Sequence, residues 1–180
     1  EPLNISQIQL NTLETLRLHI RKLEVSDAAF IHTLVNTPNW IRYIGDKGIH
    51  SVEAAADYIY SILSHPQKHY WVVSYKADQI PIGILTFMQR DHLEYPDFGF
   101  AFLPSFTRQG YAYEGCVALL SQLFLCGAFH DVFAITLIHN TASIGLLQKL
   151  GFVKWNMIEV AGEQLYTFRL NIDNFNYSDK

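Results

Sequence analysis

Seven consecutive residues, Val132-Phe133-Ala134-Ile135-Thr136-Leu137-Ile138, are uncharged and mostly β-branched or aromatic. A strand of that composition has no polar face to offer water, so the run predicts a strand buried on both faces beside a parallel neighbour. Helical patterns precede and follow it, which points to an α/β architecture rather than an all-β sandwich. The chain of 180 residues is 49% hydrophobic and 14% aromatic. That is enough apolar area for one domain to bury a core without disulfides or a structural metal.

The remaining pattern fills in an element order. Residues 1–14 are polar and aperiodic, a lead-in. Over residues 16–23, Leu16, Leu18 and Ile20 alternate with Arg17, His19 and Arg21, the period of a half-buried strand. Ser26 caps a helix that ends near Asn36, before Pro38. Residues 40–50 are punctuated by Gly45 and Gly48 and predict a loop with exposed aromatics. A second helix follows Ser51 and stops near His65-Pro66. Residues 70–75 and 82–88 flank Ala77-Asp78-Gln79 as a hairpin, and residues 97–103 form a further strand carrying Phe98, Phe100 and Phe102. Pro104 ends it. Gly110 opens an apolar helix running to Gly127, Asn140 caps a short helix that stops at Gly151, and residues 153–160 and 164–170 make a last hairpin through Ala161-Gly162-Glu163. The domain thus spans residues 15–170, with a polar tail over 171–180. About seven strands and four helices are expected.

Charge excludes several functions. With 13 Lys+Arg against 17 Asp+Glu, no whole-domain field gathers a nucleic-acid backbone, so direct nucleic-acid binding is not expected. No apolar run approaches the ~18–20 residues of a membrane helix. The two cysteines, Cys116 and Cys126, fall ten residues apart on one helix, too far apart along its axis to pair. Two unpaired thiols favour a reducing cytoplasm, with both side chains as small buried apolar groups, and the sequons at Asn4 and Asn176 then carry no meaning. His65 and His69 have i, i+4 spacing, but Pro66 interrupts the helix, so they are expected to be surface histidines and no metal site is expected.

Two passages carry chemistry. The first is the strand 97–103 followed by Pro104-Ser105-Phe106-Thr107-Arg108-Gln109-Gly110-Tyr111-Ala112-Tyr113-Glu114 and the apolar helix. A strand, a tight glycine loop and a helix N-terminus aim free backbone N–H groups at one point, which suits a pyrophosphate as well as it suits an ordinary glycine-capped loop. Neither G-x-x-x-x-G-K-[ST] nor G-x-G-x-x-G is present, so nucleotide hydrolysis and dinucleotide binding lose their main support. The second passage is Asn140-Thr141-Ala142-Ser143 with Lys149-Leu150-Gly151-Phe152. Ser143 between a buried strand and a helix mimics a hydrolase nucleophile elbow, but Thr141 stands where the first elbow glycine belongs.

Taken in order, Gly110-Tyr111-Ala112-Tyr113-Glu114-Gly115, Asn140-Thr141-Ala142-Ser143 and Lys149-Leu150-Gly151-Phe152, with Thr15-Leu16-Arg17-Leu18 at the start, resemble the coenzyme-A-binding signatures of the GNAT superfamily of N-acetyltransferases. The likeness is to its Rim-type branch, the ribosomal-protein acetyltransferases, and covers about residues 15–170. It implies a mixed, centrally splayed sheet flanked by helices, and acetyl-CoA as donor. On the resemblance, Ala101, Phe102 and Leu103 would hold the pantetheine. Arg108, Gln109, Gly110, Tyr111 and Ala112 would bind the pyrophosphate through their amides, with Asn140 and Ser143 beside them. The superfamily's usual Gln/Arg at the start of the pyrophosphate loop is Thr107 here. Leu147 stands where many members have a tyrosine acid, leaving Ser143 as the candidate acid. Glu94 and Asp97, at the start of the strand, are the base candidates, with water as intermediary an alternative. Asn36, Trp40, Tyr43 and Tyr166 would contact the acceptor, a protein N-terminus or a small-molecule amine. The expected enzyme is a monomer or homodimer; the alternative is a catalytically silent acyl-CoA-binding module.

Overall fold

The computed structural model describes residues 4–126 and 129–176. The expected helix end at Gly127, the first three residues of the lead-in and the last four of the tail lie outside the described residues. In chain order the elements are β1 (Thr12–Glu14), β2 (Leu18–Lys22), α1 (Ala28–Val35), α2 (Pro38–Tyr43), α3 (Val52–Leu63), β3 (Lys68–Tyr75) and β4 (Pro81–Met88). There follow β5 (Asp97–Phe102), α4 (Tyr111–Leu125), β6 (Asp131–Leu137), α5 (Thr141–Leu150), β7 (Val153–Val160) and β8 (Glu163–Asn171). The strands make one sheet in the order β1-β2-β3-β4-β5-β6-β8-β7.

Every neighbouring pair is antiparallel except β5 and β6. β5 pairs with β4 along its whole length, from Gly83↔Phe102 to Met88↔Asp97. The parallel partner behaves differently: β5 meets β6 at the single register pair Asp97↔Phe133, reinforced by the Phe133 amide donating to the Pro96 carbonyl at 2.8 Å. Beyond that point the two strands part. The buried run therefore has its parallel neighbour at one end only. Val132, Phe133 and Ala134 are buried, while Ile135 and Leu137 are half-buried because a cleft opens beside them.

Strand alternation builds a core on each side of the sheet. Leu18, Ile20, Trp71, Val73, Leu85 and Phe98 point to the face covered by α4 and α5. Leu23, Val72 and Ile84 point to the opposite face, where they pack on Ile31 and Leu34 of α1 and Ile59 of α3. The glycine at 115 lets α4 lie close to the sheet, with Leu18 and Leu85 within van der Waals reach of where a Cβ would stand.

Several local expectations change in this context. The lead-in is not aperiodic throughout: Thr12–Glu14 pairs with residues 19–21 as the edge strand β1, giving eight strands. It is held from below by the Trp71 Nε1–H donating to the Leu10 carbonyl at 2.8 Å. Leu16 is 87% exposed, because the chain is still turning into β2 at that point. Residues 38–43 are helical, with the Thr37 hydroxyl accepting from the Trp40 amide and Pro38 at the first position, where its missing N–H costs nothing. Trp40 is buried against α1 and α3 rather than exposed. Cys126 is exposed at the end of α4, whereas Cys116 is buried, which raises its thiol pKa. His69 is not a surface residue: it is buried in β3, between the Ile5 carbonyl and the Lys22 ammonium, each at 2.7 Å.

α5 ends as expected at Gly151, which adopts φ +104. A Cβ there would run into the Asn174 carbonyl as well as force an L-residue into the left-handed region. Gly151→Ala should lower stability by at least ~1–2 kcal/mol, read as a reduced urea midpoint at unchanged m-value; an unchanged midpoint would show that the 174–176 segment yields freely.

Candidate active site

The divergence of β5 from β6 opens a cleft of about 1350 Å³ that crosses the middle of the sheet. Its walls come from α1 and α2 on one side and from the loop before α4, β6 and the start of α5 on the other. Because β5 is fully paired to β4 but only at Asp97 to β6, backbone groups on its open side face this space without ladder partners.

At one end of the cleft, Gly110 caps α4 in the left-handed region, φ +83, with no side-chain cap, and Arg108 is also left-handed at φ 61. For a non-glycine residue that conformation costs about 1–2 kcal/mol. The consequence is a concave run of amides: among the described residues, none of the backbone N–H groups of 108–113 donates a hydrogen bond, and the helical ladder begins only with Glu114 donating to Gly110 at 3.0 Å. Six consecutive unsatisfied donors at the positive end of a 15-residue helix are a ready anion site.

The loop is held in shape from behind by Arg17, which stands just before β2. Its Nε donates to Glu114 at 3.0 Å, its Nη1 donates to the Gln109 carbonyl at 3.1 Å, and its guanidinium lies 4.2 Å from the Tyr111 ring centre. Tyr111 in turn meets Tyr75 through a hydroxyl–hydroxyl bond of 2.7 Å. The side chains of Gln109 and Tyr111 therefore face the scaffold, Gln109 bonding Ser105, and only their amides belong to the anion run. Thr107, Arg108, Gly110 and Ala112 line the cleft directly.

Ala101 and Phe102 also line it, whereas Leu103 packs toward the α1/α3 core and donates its amide to Ile82. Across the cleft, Asn140 caps α5 by accepting the Ser143 amide at 3.2 Å, and the half-buried Ser143 side chain faces the same space. Leu147, one turn on, is 1% exposed and offers no acid.

The two carboxylates expected as bases separate clearly. Glu94 is exposed and outside the cleft, beside Tyr95 and Arg169. Asp97 lines the cleft, is buried, and accepts from the Arg90 Nε at 2.8 Å. Burial raises its pKa to about 6 despite the opposing Arg90 charge, which is the range a general base needs near neutral pH. Tyr58, Tyr70, Arg90 and His92 surround the same end of the cleft. Burial raises both tyrosines' pKa values, so they stay as neutral hydroxyls.

Of the four residues expected to meet the acceptor, Trp40 and Tyr43 line the cleft and the others do not. Asn36 is occupied with structure, its amide donating to the carbonyls of His32 at 2.7 Å and Ile49 at 2.8 Å, which ties the following loop to α1. Tyr166 meets Phe168 edge-to-face and carries the Lys154 ammonium 3.9 Å over its ring. Arg17, Tyr58, Tyr70 and Arg90 are not among the residues expected at the site. Arg17 belongs to the opening motif, but its action on a loop more than ninety positions away is not marked locally, and neither is the placement of Tyr58, Tyr70 and Arg90 around Asp97.

The buried Asp97 also sets a pH signature. Its folded pKa of about 6 lies above the ordinary 3.8, so the folded protein keeps a proton that the unfolded chain releases. Stability from this group is complete below pH ~4, falls by roughly 3 kcal/mol as pH rises through 6, and is level above. Asp97→Asn should remove that slope in urea unfolding measured from pH 4 to 7; a parallel pair of curves would show that Asp97 is ionised throughout.

Comparison with known proteins agrees with this geometry. Residues 17–153 match the model of the acetyltransferase (GNAT) domain. The uncharacterized N-acetyltransferase YoaA of Bacillus subtilis (strain 168) is 27% identical over 147 residues, 79% of this chain and 82% of that protein. The ribosomal-protein-S5-alanine acetyltransferase from Vibrio fischeri superposes with a TM-score of 0.76 at 18% identity, over 92% of this chain and 98% of that one. The spermidine N-acetyltransferase from Vibrio cholerae, solved with CoA and spermine, does so with a TM-score of 0.75 at 18% identity, over 89% and 98%. At such identities the structural likeness establishes the fold alone.

Proposed function

Because the chain belongs to the acetyltransferase (GNAT) family, whose donor is acetyl-CoA, we propose that its cleft passes the acetyl group to a primary amine, on a protein N-terminus or a small molecule, by direct attack. One observation carries the reading: the run of unsatisfied amides at 108–113 lies at the mouth of the cleft that the splayed β5 opens. That concavity fits a pyrophosphate without needing a basic side chain, which reconciles anion binding with a net charge of -4. Bound acetyl-CoA supplies an acyl carbon activated as a thioester.

The rest is work for the chain's own groups. The open edge of β5 at Ala101 and Phe102 receives an extended pantetheine arm as it would another strand, and a free N–H there polarises the acetyl oxygen. Asp97 accepts the proton that the ammonium must lose before its lone pair can attack, directly or through one water. The C–N bond then forms as the C–S bond breaks, and the second proton that the nitrogen sheds is taken up by the departing thiolate. Ser143, on the α5 side, donates a hydrogen bond to the departing sulfur. A thiol with a pKa near 8.5 leaves readily as thiolate, so a hydrogen bond suffices and the missing tyrosine at Leu147 costs little. The buried Trp40 and the adjoining Tyr43 wall the acceptor end and exclude water.

Thiol release with a panel of amines tests this. Asp97→Asn should cut kcat by ~10²–10⁴-fold and abolish the rate limb with a midpoint near pH 6, while coenzyme A affinity by calorimetry stays within a few fold. Activity retained with the same pH limb would assign the base elsewhere. Ser143→Ala should reduce kcat by about tenfold, the size of one charge-assisted hydrogen bond, with coenzyme A binding intact; loss of affinity at unchanged kcat would make the residue a binding one only.

A further inference from the structure

The acceptor end of the cleft carries a charge pattern that the transfer reaction itself does not require. Among the described residues lining the cleft, Asp97 is the one carboxylate, against Lys47, Arg90, Arg108 and Lys149. Arg108 belongs to the anion loop and Lys149 lies over Tyr113 on the α5 side, 4.0 Å from the ring centre. Lys47 and Arg90 remain among the cations lining the cleft, Arg90 on Asp97 and with His92 near the same carboxylate. Asp97 is already matched by one of them, its Oδ2 holding the Arg90 Nε at 2.8 Å. That bond uses a single nitrogen of the guanidinium. Among the described residues Nη1 and Nη2 of Arg90 have no hydrogen-bond partner, and the Arg90 side chain is 44% exposed.

A buried carboxylate and a half-open guanidinium locked side by side form the complement of a molecule bearing an ammonium and a carboxylate close together. Asp97 is the one carboxylate available to an amine among the described residues lining the cleft, and the planar fork of Nη1 and Nη2 is left to hold a carboxylate as a bidentate pair. A polycation would gain only the one carboxylate, already paired, and would meet Lys47 and Arg90 as like charges.

We propose that the acceptor is an amine carrying a carboxylate near its nitrogen, held with the amine on Asp97 and the carboxylate on the terminal nitrogens of Arg90. The chemistry is shared by a free amino acid and by a peptide N-terminus followed by an acidic side chain. This inference rests on the acetyl-transfer reading for its assignment of the cleft end.

The test uses matched acceptors: serine against serinamide, the amidated dipeptide Ser-Glu against Ser-Gln, and spermidine as the polycation. Each is measured by thiol release from acetyl-CoA and by calorimetric binding to the coenzyme-A-loaded protein. In at least one pair the carboxylate member should win by about tenfold in kcat/KM and in affinity, as expected for a charge-assisted pair, and which pair does so identifies the source. Arg90→Gln should bring that ratio close to one. The ratio is the informative quantity, because losing Arg90 also perturbs Asp97, and both members of a pair depend on Asp97 equally. Thiol release with ratios near one in both pairs, a ratio unmoved by Arg90→Gln, or spermidine as the best acceptor would overturn the proposal and leave acetyl transfer standing. A carboxylate preference in binding without thiol release from any acceptor would uphold the recognition and overturn the transfer. Neither binding nor release from any member would overturn both.

Discussion

The architecture turns on a mismatch at the centre of the sheet. A parallel pair can continue only if both strands keep the same direction and spacing, and β5 is committed along its whole length to β4. It touches β6 at Asp97 and Phe133 and then leaves it. From that one junction follow the cleft, the unpaired edge of β5, the half-burial of the second part of β6 and the placement of Asp97 at the point of divergence. A sheet zipped to the end at this position would bury the same apolar residues and have no site.

The anion loop depends on the same junction for its position and on Arg17 for its shape. Left-handed backbone at Arg108 and Gly110 prevents the amides from closing into helical bonds. Arg17 offsets part of that strain by satisfying a carbonyl of the loop and a carboxylate of the first turn of α4. Since its partners Gln109 and Glu114 lie more than ninety positions away in the chain, the loop's conformation is a tertiary property. The strained segment is thus prepared before any ligand arrives, which limits the ordering cost of binding.

Much of this was legible from local signals. The uncharged run at 132–138 marked the inner strand, because burial on both faces leaves a composition nothing else explains. Gly110, Asn140 and Gly151 marked helix ends, because capping and positive φ are demands of a few adjacent residues. The motifs around them led to the acetyltransferase family. The misplaced elements share one cause, a weak local pattern overruled by contacts. Residues 12–14 have too short a period to announce a strand, and become one by pairing with β2. Trp40 lies in a glycine-rich stretch, and the apolar gap between α1 and α3 draws it in. His69 looks like half of a surface pair until β3 carries it beneath the Ile5 carbonyl.

Among the site residues the division is equally physical. The sequence by itself determined where the backbone would present its donors, since a glycine-led helix start and an asparagine cap act over three or four residues. It also narrowed the base to two carboxylates near one strand. Only the tertiary structure gives the two different surroundings, exposing Glu94 outside the cleft and burying Asp97 against Arg90 within it, and only it separated Tyr43 from Tyr166 and Trp40 from Asn36 as cleft residues. Burial, counter-charge and the direction of a side chain are set by segments that meet across the sheet, and no spacing along the chain encodes which of them will meet.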